Sequence, residues 1–310
     1  MTKEYNNKID VKTINQLITT SPTELVSLSE LRYFEQLEQV ADKIAKNSNQ
    51  CSILLVSGPS ASTKTTTAHK LSTSLGRIGI HSVVISLDNF FVNREDLPSL
   101  ENGDVDYESI STLDLSTLRA CFDDLLQKKQ SEFPIFDFSI GRRSKETQHI
   151  TVSDDTIVIV EGIHALNPII VQGHDKADFL KLYVSPSSDY YFGDELILSS
   201  RNIRFVRRLV RDYFHRSNSI ESTMDMWVNV VKSELINIMP YKVEADFTID
   251  TTIMYEPSIY EYYLSKIIKT SELSGFYQNK MDEVLRALCR FHVLPLDIIP
   301  ESSVLREFLE

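Results

Sequence analysis

Gly58-Pro59-Ser60-Ala61-Ser62-Thr63-Lys64-Thr65 departs at one position from the pattern G-x-x-x-x-G-K-[ST]: the glycine before the lysine is replaced by Thr63. Its setting is what the pattern requires. An apolar run from Cys51 to Val56 leads in, and a helical pattern over 64–76 leads out. Between a strand and a helix, such a loop aims backbone N–H groups and a helix N-terminus at phosphates. On that reading Gly58, Ser60, Ala61, Ser62, Thr63, Lys64, Thr65 and Thr66 form a nucleotide cradle. Lys64 reaches the β- and γ-phosphates, and the Thr65 hydroxyl ligates Mg²⁺. The competing reading is a serine- and threonine-rich turn that only caps a helix. Thr63 is the flaw, because a β-branched residue tolerates unusual backbone angles poorly and takes room that glycine leaves for phosphate.

Outward from the loop, β-rich runs at 51–57, 81–87, 156–160, 180–184 and 246–250 alternate with helical patterns at 64–76, 114–129, 201–215 and 221–237. A further amphipathic helix precedes them, with Leu31, Phe34, Leu37, Val40, Ala41 and Ile44 at helical spacing between Glu30 and Lys46. The alternation predicts an α/β fold of the P-loop NTPase type, a mainly parallel sheet with helices on both faces. Ligands of such sheets sit outside the carboxyl ends of the strands. Residues 1–49 are expected to be a helical lead-in whose first 20 residues are loosely attached, and 50–255 the core. A small inserted region spans about 89–150, with the turn-rich stretch Glu101 to Asp104, one helix and a hairpin around Phe133 to Ile150. Residues 256–310 are expected to be a helical extension packed on the core, broken by Pro295 and Pro300.

Composition narrows the partners. A chain of 310 residues with 42% hydrophobic and 25% charged residues has the ordinary make-up of a globular protein, in one large domain or two small ones. A net charge of −12 argues against nucleic-acid binding, which needs a basic footprint. Three well-separated cysteines argue for a reduced compartment, and the seven histidines show no zinc-type spacing. The first ten residues are polar, no signal peptide follows, and no apolar run is long enough for a membrane. A cytoplasmic protein without membrane partners is the expectation.

Three further clusters bear on chemistry. Asp88, in Ser86-Leu87-Asp88-Asn89-Phe90-Phe91, ends the second strand and faces the same crevice as the loop. It is placed to take a proton from an attacking hydroxyl or to hold metal-bound water; the alternative is a turn or helix cap. Glu161 ends the apolar run Ile157-Val158-Ile159-Val160 before Gly162, in the manner of a Walker B element near Mg²⁺. A strand-end glutamate can equally be an ordinary loop residue. Arg201, Arg204, Arg208 and Arg211 fall on one helix face, flanked by Arg207 and Arg216. Six arginines in sixteen residues predict an anionic partner, phosphate by the fit of the planar fork, against a solvated, salt-bridged face. Apolar residues on the other side of that helix predict that it is docked, with its arginines outward or in a cleft.

Read in order, GPSASTKTTTAHKL, ISLDNFF, YESISTLD, FPIFDFSIGRR, VIVEGIHALNP, RRLVRDYFHR and YKVEADFTI resemble the phosphoribulokinase/uridine kinase family of P-loop kinases over about 50–255. The resemblance is nearest to the bacterial-type nucleoside kinases of that family, which carry a similar lead-in and a tail like PESSVLREFL. It implies transfer of the γ-phosphoryl of ATP, with Mg²⁺, to the 5′-hydroxyl of a nucleoside by proteins that often form homo-oligomers. By position it makes Asp88 the general base and places Thr65, Glu161 and Asp88 around the metal. Arg208, Arg211 and Arg216 match lid arginines that hold phosphates in a segment at about 201–218. Tyr107 and Glu108 match an aromatic–acid pair at the nucleoside, with Glu108 on the ribose hydroxyls, and Phe136 stands where pyrimidine enzymes use tyrosine against the base. Gly141, Asn218 and Met226 replace a histidine, an arginine and a glutamine of those enzymes. Base selection that rests on buried polar groups is weakened by their loss, which implies relaxed or altered specificity. Two other functions remain open: a weakened nucleotide-binding sensor or scaffold, favoured by Thr63, and a kinase of a phosphorylated sugar such as ribulose 5-phosphate.

Overall fold

Residues 8–46, 53–97, 108–173, 179–269 and 271–309 are described by a computed structural model. The chain opens with β1 (Lys8–Asp10), α1 (Val11–Thr20) and α2 (Pro22–Lys46). It enters the phosphate loop through β2 (Ile53–Ser57) and leaves it through α3 (Lys64–Arg77), followed by β3 (Ser82–Ser86). Helix α4 (Leu115–Lys128), the hairpin β4 (Gln130–Asp137) and β5 (Arg142–Thr151), and then β6 (Ile157–Glu161) and β7 (Phe179–Ser185) come next. A small hairpin, β8 (Asp189–Phe192) and β9 (Glu195–Leu198), precedes the arginine helix α5 (Ser200–Arg216), α6 (Ile220–Asn237) and α7 (Met239–Lys242). The last elements are β10 (Phe247–Asp250), α8 (Pro257–Lys269) and α9 (Gly275–Leu288).

Five strands form one parallel sheet in the order β10-β7-β2-β6-β3. Its central strands read as continuous apolar runs because both faces are covered. Along β2, Ile53 and Leu55 join a core with Val158, Val160, Phe90 and Phe122, while Leu54 and Val56 join another with Ile157, Ile159 and Leu71. Helix α4 and the β4–β5 hairpin cover the first face; α2, α3, α5 and α8 cover the second. Helices therefore lie on both faces, as the alternation of elements predicts. From β2 the chain steps to edge strand β3, returns to β6 and then crosses to β7, so the carboxyl ends of β2, β3 and β6 share one crevice.

The lead-in differs from the expectation of a loose segment. From Lys8 onward it is docked: Ile9 pairs with Tyr190 of β8, and Val11, Ile14 and Ile18 of α1 are buried. The Asp10 carboxylate caps α1 by accepting from the N–H groups of Lys12 and Thr13. Helix α2 also begins at Pro22, a turn and more before the expected start. The three-stranded sheet β1-β8-β9 has strands of three or four residues, too short for periodicity to reveal. In the β4–β5 hairpin the register shifts between Pro134 and Phe136, where proline has no N–H to give the ladder. Among the described residues no helix is long and apolar enough to cross a membrane.

Candidate functional site

Gly58 follows β2 directly, and a Cβ there would lie 2.0 Å from the carbonyl oxygen of Val184 and 2.5 Å from Ser62 Oγ. Only glycine fits that approach. Ala61 and Thr63 both take left-handed backbone angles, with φ of 60° and 66°. For residues with a side chain this costs about 1–2 kcal/mol each, so the surroundings must hold the loop in place. They do so from two sides. Thr63 is only 1% exposed; its hydroxyl donates to the Ser62 carbonyl at 2.5 Å and lies 3.4 Å from Thr67 Oγ1. Thr67 Oγ1 in turn is 2.9 Å from the Tyr33 hydroxyl on α2. The side chain of Thr63 is thus packed against the first turn of α3 and takes no part of the open crevice.

Behind the loop stands Arg207, fully buried, donating to Glu256 at 2.7 and 2.8 Å, to the Thr251 carbonyl at 2.7 Å and to the Ala61 carbonyl at 3.4 Å. Thr251 Oγ1 donates to the Ser62 carbonyl at 3.0 Å. Burial favours the neutral guanidine, but the Glu256 charge outweighs it and holds Arg207 above its ordinary pKa. Arg204 is likewise internal, 2.6 Å from Glu234 and 5.6 Å from the Trp227 ring. The expectation that these arginines point outward or into a cleft is corrected here. Both find carboxylates inside the fold, on elements distant in sequence.

Arg208, Arg211 and Arg216 behave differently. All three converge on Asp212, at 3.2, 2.7 and 3.6 Å, and Asp212 has no exposed surface. Arg208 also donates to Ser60 Oγ at 2.8 Å and lies 3.9 Å from the Glu108 carboxylate. Burial pulls Arg208 below its ordinary pKa, although Asp212 and Glu108 oppose the shift. Three guanidinium groups around one carboxylate leave net positive charge beside the phosphate loop. Asp212 was missed in the sequence, although its spacing of four from Arg208 and from Arg216 was a signal.

Glu161 ends β6 beside the loop, and the Thr65 hydroxyl donates to its carboxylate at 3.0 Å. Burial raises the Glu161 pKa, and the nearby Asp88 charge adds to this, while Lys64 and the bonds from Ser86 and Thr65 oppose it. Asp88 sits on the 3-10 turn Leu87–Phe90, and its own N–H donates to the capping Ser86 Oγ at 3.3 Å. Gly162 lets that turn approach, since a Cβ there would stand 2.7 Å from Leu87 Cβ. Thr65 and Glu161 are hard oxygen donors, and no group of three or more His, Cys, Asp or Glu gathers among the described residues. That set fits Mg²⁺, which takes one or two protein ligands and leaves the rest to water and phosphate.

A cavity of about 390 Å³ opens between these carboxylates and the hairpin. Asp88, Asn89, Phe133, Phe138, Gln148 and Ile150 line it together with Thr65 and Glu161. Asn89 Oδ1 accepts from the Phe136 N–H at 3.2 Å and so ties the hairpin to the Asp88 turn. Phe136 is 8% exposed and packs edge-on against Phe91 and Phe138, so it supports the cavity, whereas Phe138, two residues on, lines it. Tyr107 lies outside the described residues. The structure brings Thr65, Asp88 and Glu161 to one wall, and Ser60, Arg208 and Glu108 to a neighbouring cluster. Asn89, Phe138 and Gln148 were not singled out in the sequence, where only the alternation of Phe136 with Phe138 hinted at one of them.

Comparison with known proteins adds four findings. The profile of the phosphoribulokinase/uridine kinase family matches residues 53–254. A uridine kinase of Lactobacillus helveticus is 29% identical over 182 residues, covering 58% of this chain and 76% of the relative. One from Staphylococcus epidermidis is 31% identical over 203 residues, covering 65% and 88%. Among solved structures, phosphoribulokinase from Rhodobacter spheroides has a TM-score of 0.43 at 19% identity, covering 84% of this chain and 99% of that one.

Proposed function

The chain belongs to the phosphoribulokinase/uridine kinase family, and on that premise we propose that it transfers the γ-phosphoryl group of ATP to the 5′-hydroxyl of a nucleoside. The observation that carries this reading is the cavity itself. It joins Asp88 to the Thr65–Glu161 pair and, among the described residues, is lined by two carboxylates and one histidine, His69, but by no lysine or arginine. A phosphorylated sugar needs a cation to receive its phosphate. A neutral polyol such as a nucleoside needs carboxylates and aromatic walls, which this cavity supplies. The uridine kinases it resembles support the same acceptor.

In this reading Asp88 accepts the proton of the attacking hydroxyl as the new oxygen–phosphorus bond forms and the bond to the β-phosphate oxygen breaks, releasing ADP. Lys64 and Arg208, with Arg211 and Arg216, face the negative charge on the transferring group, so the work is positioning and charge stabilisation. Thr65 and Glu161 would hold the cation, and Mg²⁺ bound there would supply positive charge against the phosphates. Glu108 accepts from ribose hydroxyls, and Phe138, backed by Phe136, meets the base. Gly141 is buried beneath Arg94, and Asn218 and Met226 are half-buried, so these three positions offer base edges less polar contact than a histidine, an arginine and a glutamine would. Specificity for the base is therefore broad.

ADP release from Mg-ATP, measured across purine and pyrimidine nucleosides and across phosphorylated sugars, tests the assignment. Stimulation by several nucleosides is expected. Stimulation by ribulose 5-phosphate alone would overturn the acceptor, and none by any acceptor would favour a sensor.

A further inference from the structure

The stretch 299–309 lies beyond the family-matched residues 53–254, yet it touches both elements that build the phosphate site. Val304, Leu305, Phe308 and Leu309 are buried. The Thr66 hydroxyl, in the first turn of α3, donates to the Glu307 carboxylate, and one turn further on the Lys70 ammonium donates to the Ser302 carbonyl. The Phe308 ring lies 5.2 Å from the Arg207 guanidinium, the same group that holds the Ala61 carbonyl of the loop. His215 Nε2, at the end of α5, is 2.9 Å from the Leu309 carbonyl oxygen.

Successive residues on a helix point about 100° apart, so neighbours in one turn serve different walls. Thr65 turns to Glu161 and the metal side, while Thr66 turns to Glu307. The backbone N–H groups of this first turn are what a phosphate would meet. Their direction is set by how the turn is held, and Glu307 holds it by a bond from a hydroxyl to a charged acceptor, one of the stronger kinds.

We propose that Glu307 is a positioning residue of the nucleotide site, acting through Thr66, and that the stretch 299–309 is an integral part of phosphate binding. This rests on the phosphate-loop part of the proposed function and on no choice of acceptor. The carboxylate fixes the front of the loop at Thr66, and Phe308 braces its back through Arg207. Nucleotide affinity then depends on residues some fifty positions past the family-matched region.

Calorimetric binding of Mg-ADP and Mg-ATP to the full chain tests this, together with the melting temperature and steady-state kinetics. Glu307→Ala is expected to weaken nucleotide binding about tenfold, the size of one charge-assisted bond. KM for ATP should rise to match, with kcat within about twofold, since the bond positions the donor and takes no part in the transfer. Glu307→Gln keeps an acceptor for Thr66 and should restore binding to within about threefold of wild type. Thr66→Val should resemble Glu307→Ala, and the double variant should bind no worse than either single one. Wild-type affinity in Glu307→Ala would overturn the proposal, as would equal losses in Glu307→Ala and Glu307→Gln or fully additive losses in the double variant. A wild-type chain that binds no Mg-ADP would overturn the phosphate-loop reading itself, an outcome distinct from these.

Discussion

At the phosphate end of the crevice Ala61, Ser62 and Thr63 are each at most 3% exposed, whereas at the acceptor end Phe138 and Ile140 are 53% and 62% exposed. The phosphate end is held from behind by the wholly buried Arg207–Glu256 pair and from the side by Thr67 and Tyr33. The ties of the acceptor end lie nearer to solvent: Asn89 to the Phe136 N–H, Arg143 to the Phe90 and Phe91 carbonyls and to Asp114, and Arg94 to the Phe138 carbonyl. A triphosphate donor presents the same groups every time, so its cradle rewards rigid construction. An acceptor site that admits more than one base has less to gain from it. On the proposed function Asp88 is a residue of chemistry, while its buried pairing with Glu256 makes Arg207 a residue of architecture.

The sharpest way to break that division is Asp88→Asn. Loss of the base should lower kcat by about 10²–10⁴-fold, while nucleotide affinity and melting temperature stay near wild type. A large fall in melting temperature would make Asp88 structural and blur the two ends. Arg207→Met probes the opposite end. Removing one partner of a fully buried pair leaves the Glu256 carboxylate uncompensated, which costs about 3–5 kcal/mol of stability in denaturant unfolding. Replacing both, as Arg207→Met with Glu256→Leu, should recover much of that loss.

Asp114 sharpens the acceptor side. It caps α4 and accepts from Ser116, Thr117 and Arg143. Burial pushes its pKa up, but these bonds outweigh it and hold the carboxyl well below the usual range. A depressed folded pKa means that the stabilisation is complete above the ordinary carboxylate range and is lost as pH falls towards the folded value. Asp114→Ala should therefore cost about 1 kcal/mol at neutral pH, with the gap to wild type narrowing on acidification. Thermal melts from neutral to acidic pH decide it, since a constant gap would assign the effect to packing. Thr63→Gly should have the smallest effect. It relieves about 1 kcal/mol of left-handed strain and gives up the contacts to Ser62 and Thr67, so stability should move by less than about 1 kcal/mol. Turnover should change by less than about tenfold; a large rescue would put the Thr63 side chain in the phosphate's room after all.

Local chemistry explains what could be read from the sequence. The five sheet strands lie within one or two residues of their expected bounds because buried parallel strands are short, continuous apolar runs between turns. The phosphate loop was legible from its residue types and its position between strand and helix. The arginine helix was legible only by half. Spacing put Arg204 and Arg208 on one face, but nothing local says that Arg204 and Arg207 meet Glu234 and Glu256, 30 and 49 residues away. Docking of the lead-in through β1 and β8 was hidden for the same reason, since a three-residue strand has no period to detect. The stretch 299–309 carried no chemical motif of its own, and its place beside Thr66 depends on the whole second core.

Phosphorus NMR of the reaction of the wild-type chain with Mg-ATP and uridine, repeated with other nucleosides, tests the central claim most directly. The account predicts a new phosphomonoester signal coupled to the 5′-methylene protons of the nucleoside, formed with stoichiometric ADP and suppressed in Asp88→Asn. A product phosphorylated at the 2′- or 3′-hydroxyl, or ATP left intact with every nucleoside, would contradict it.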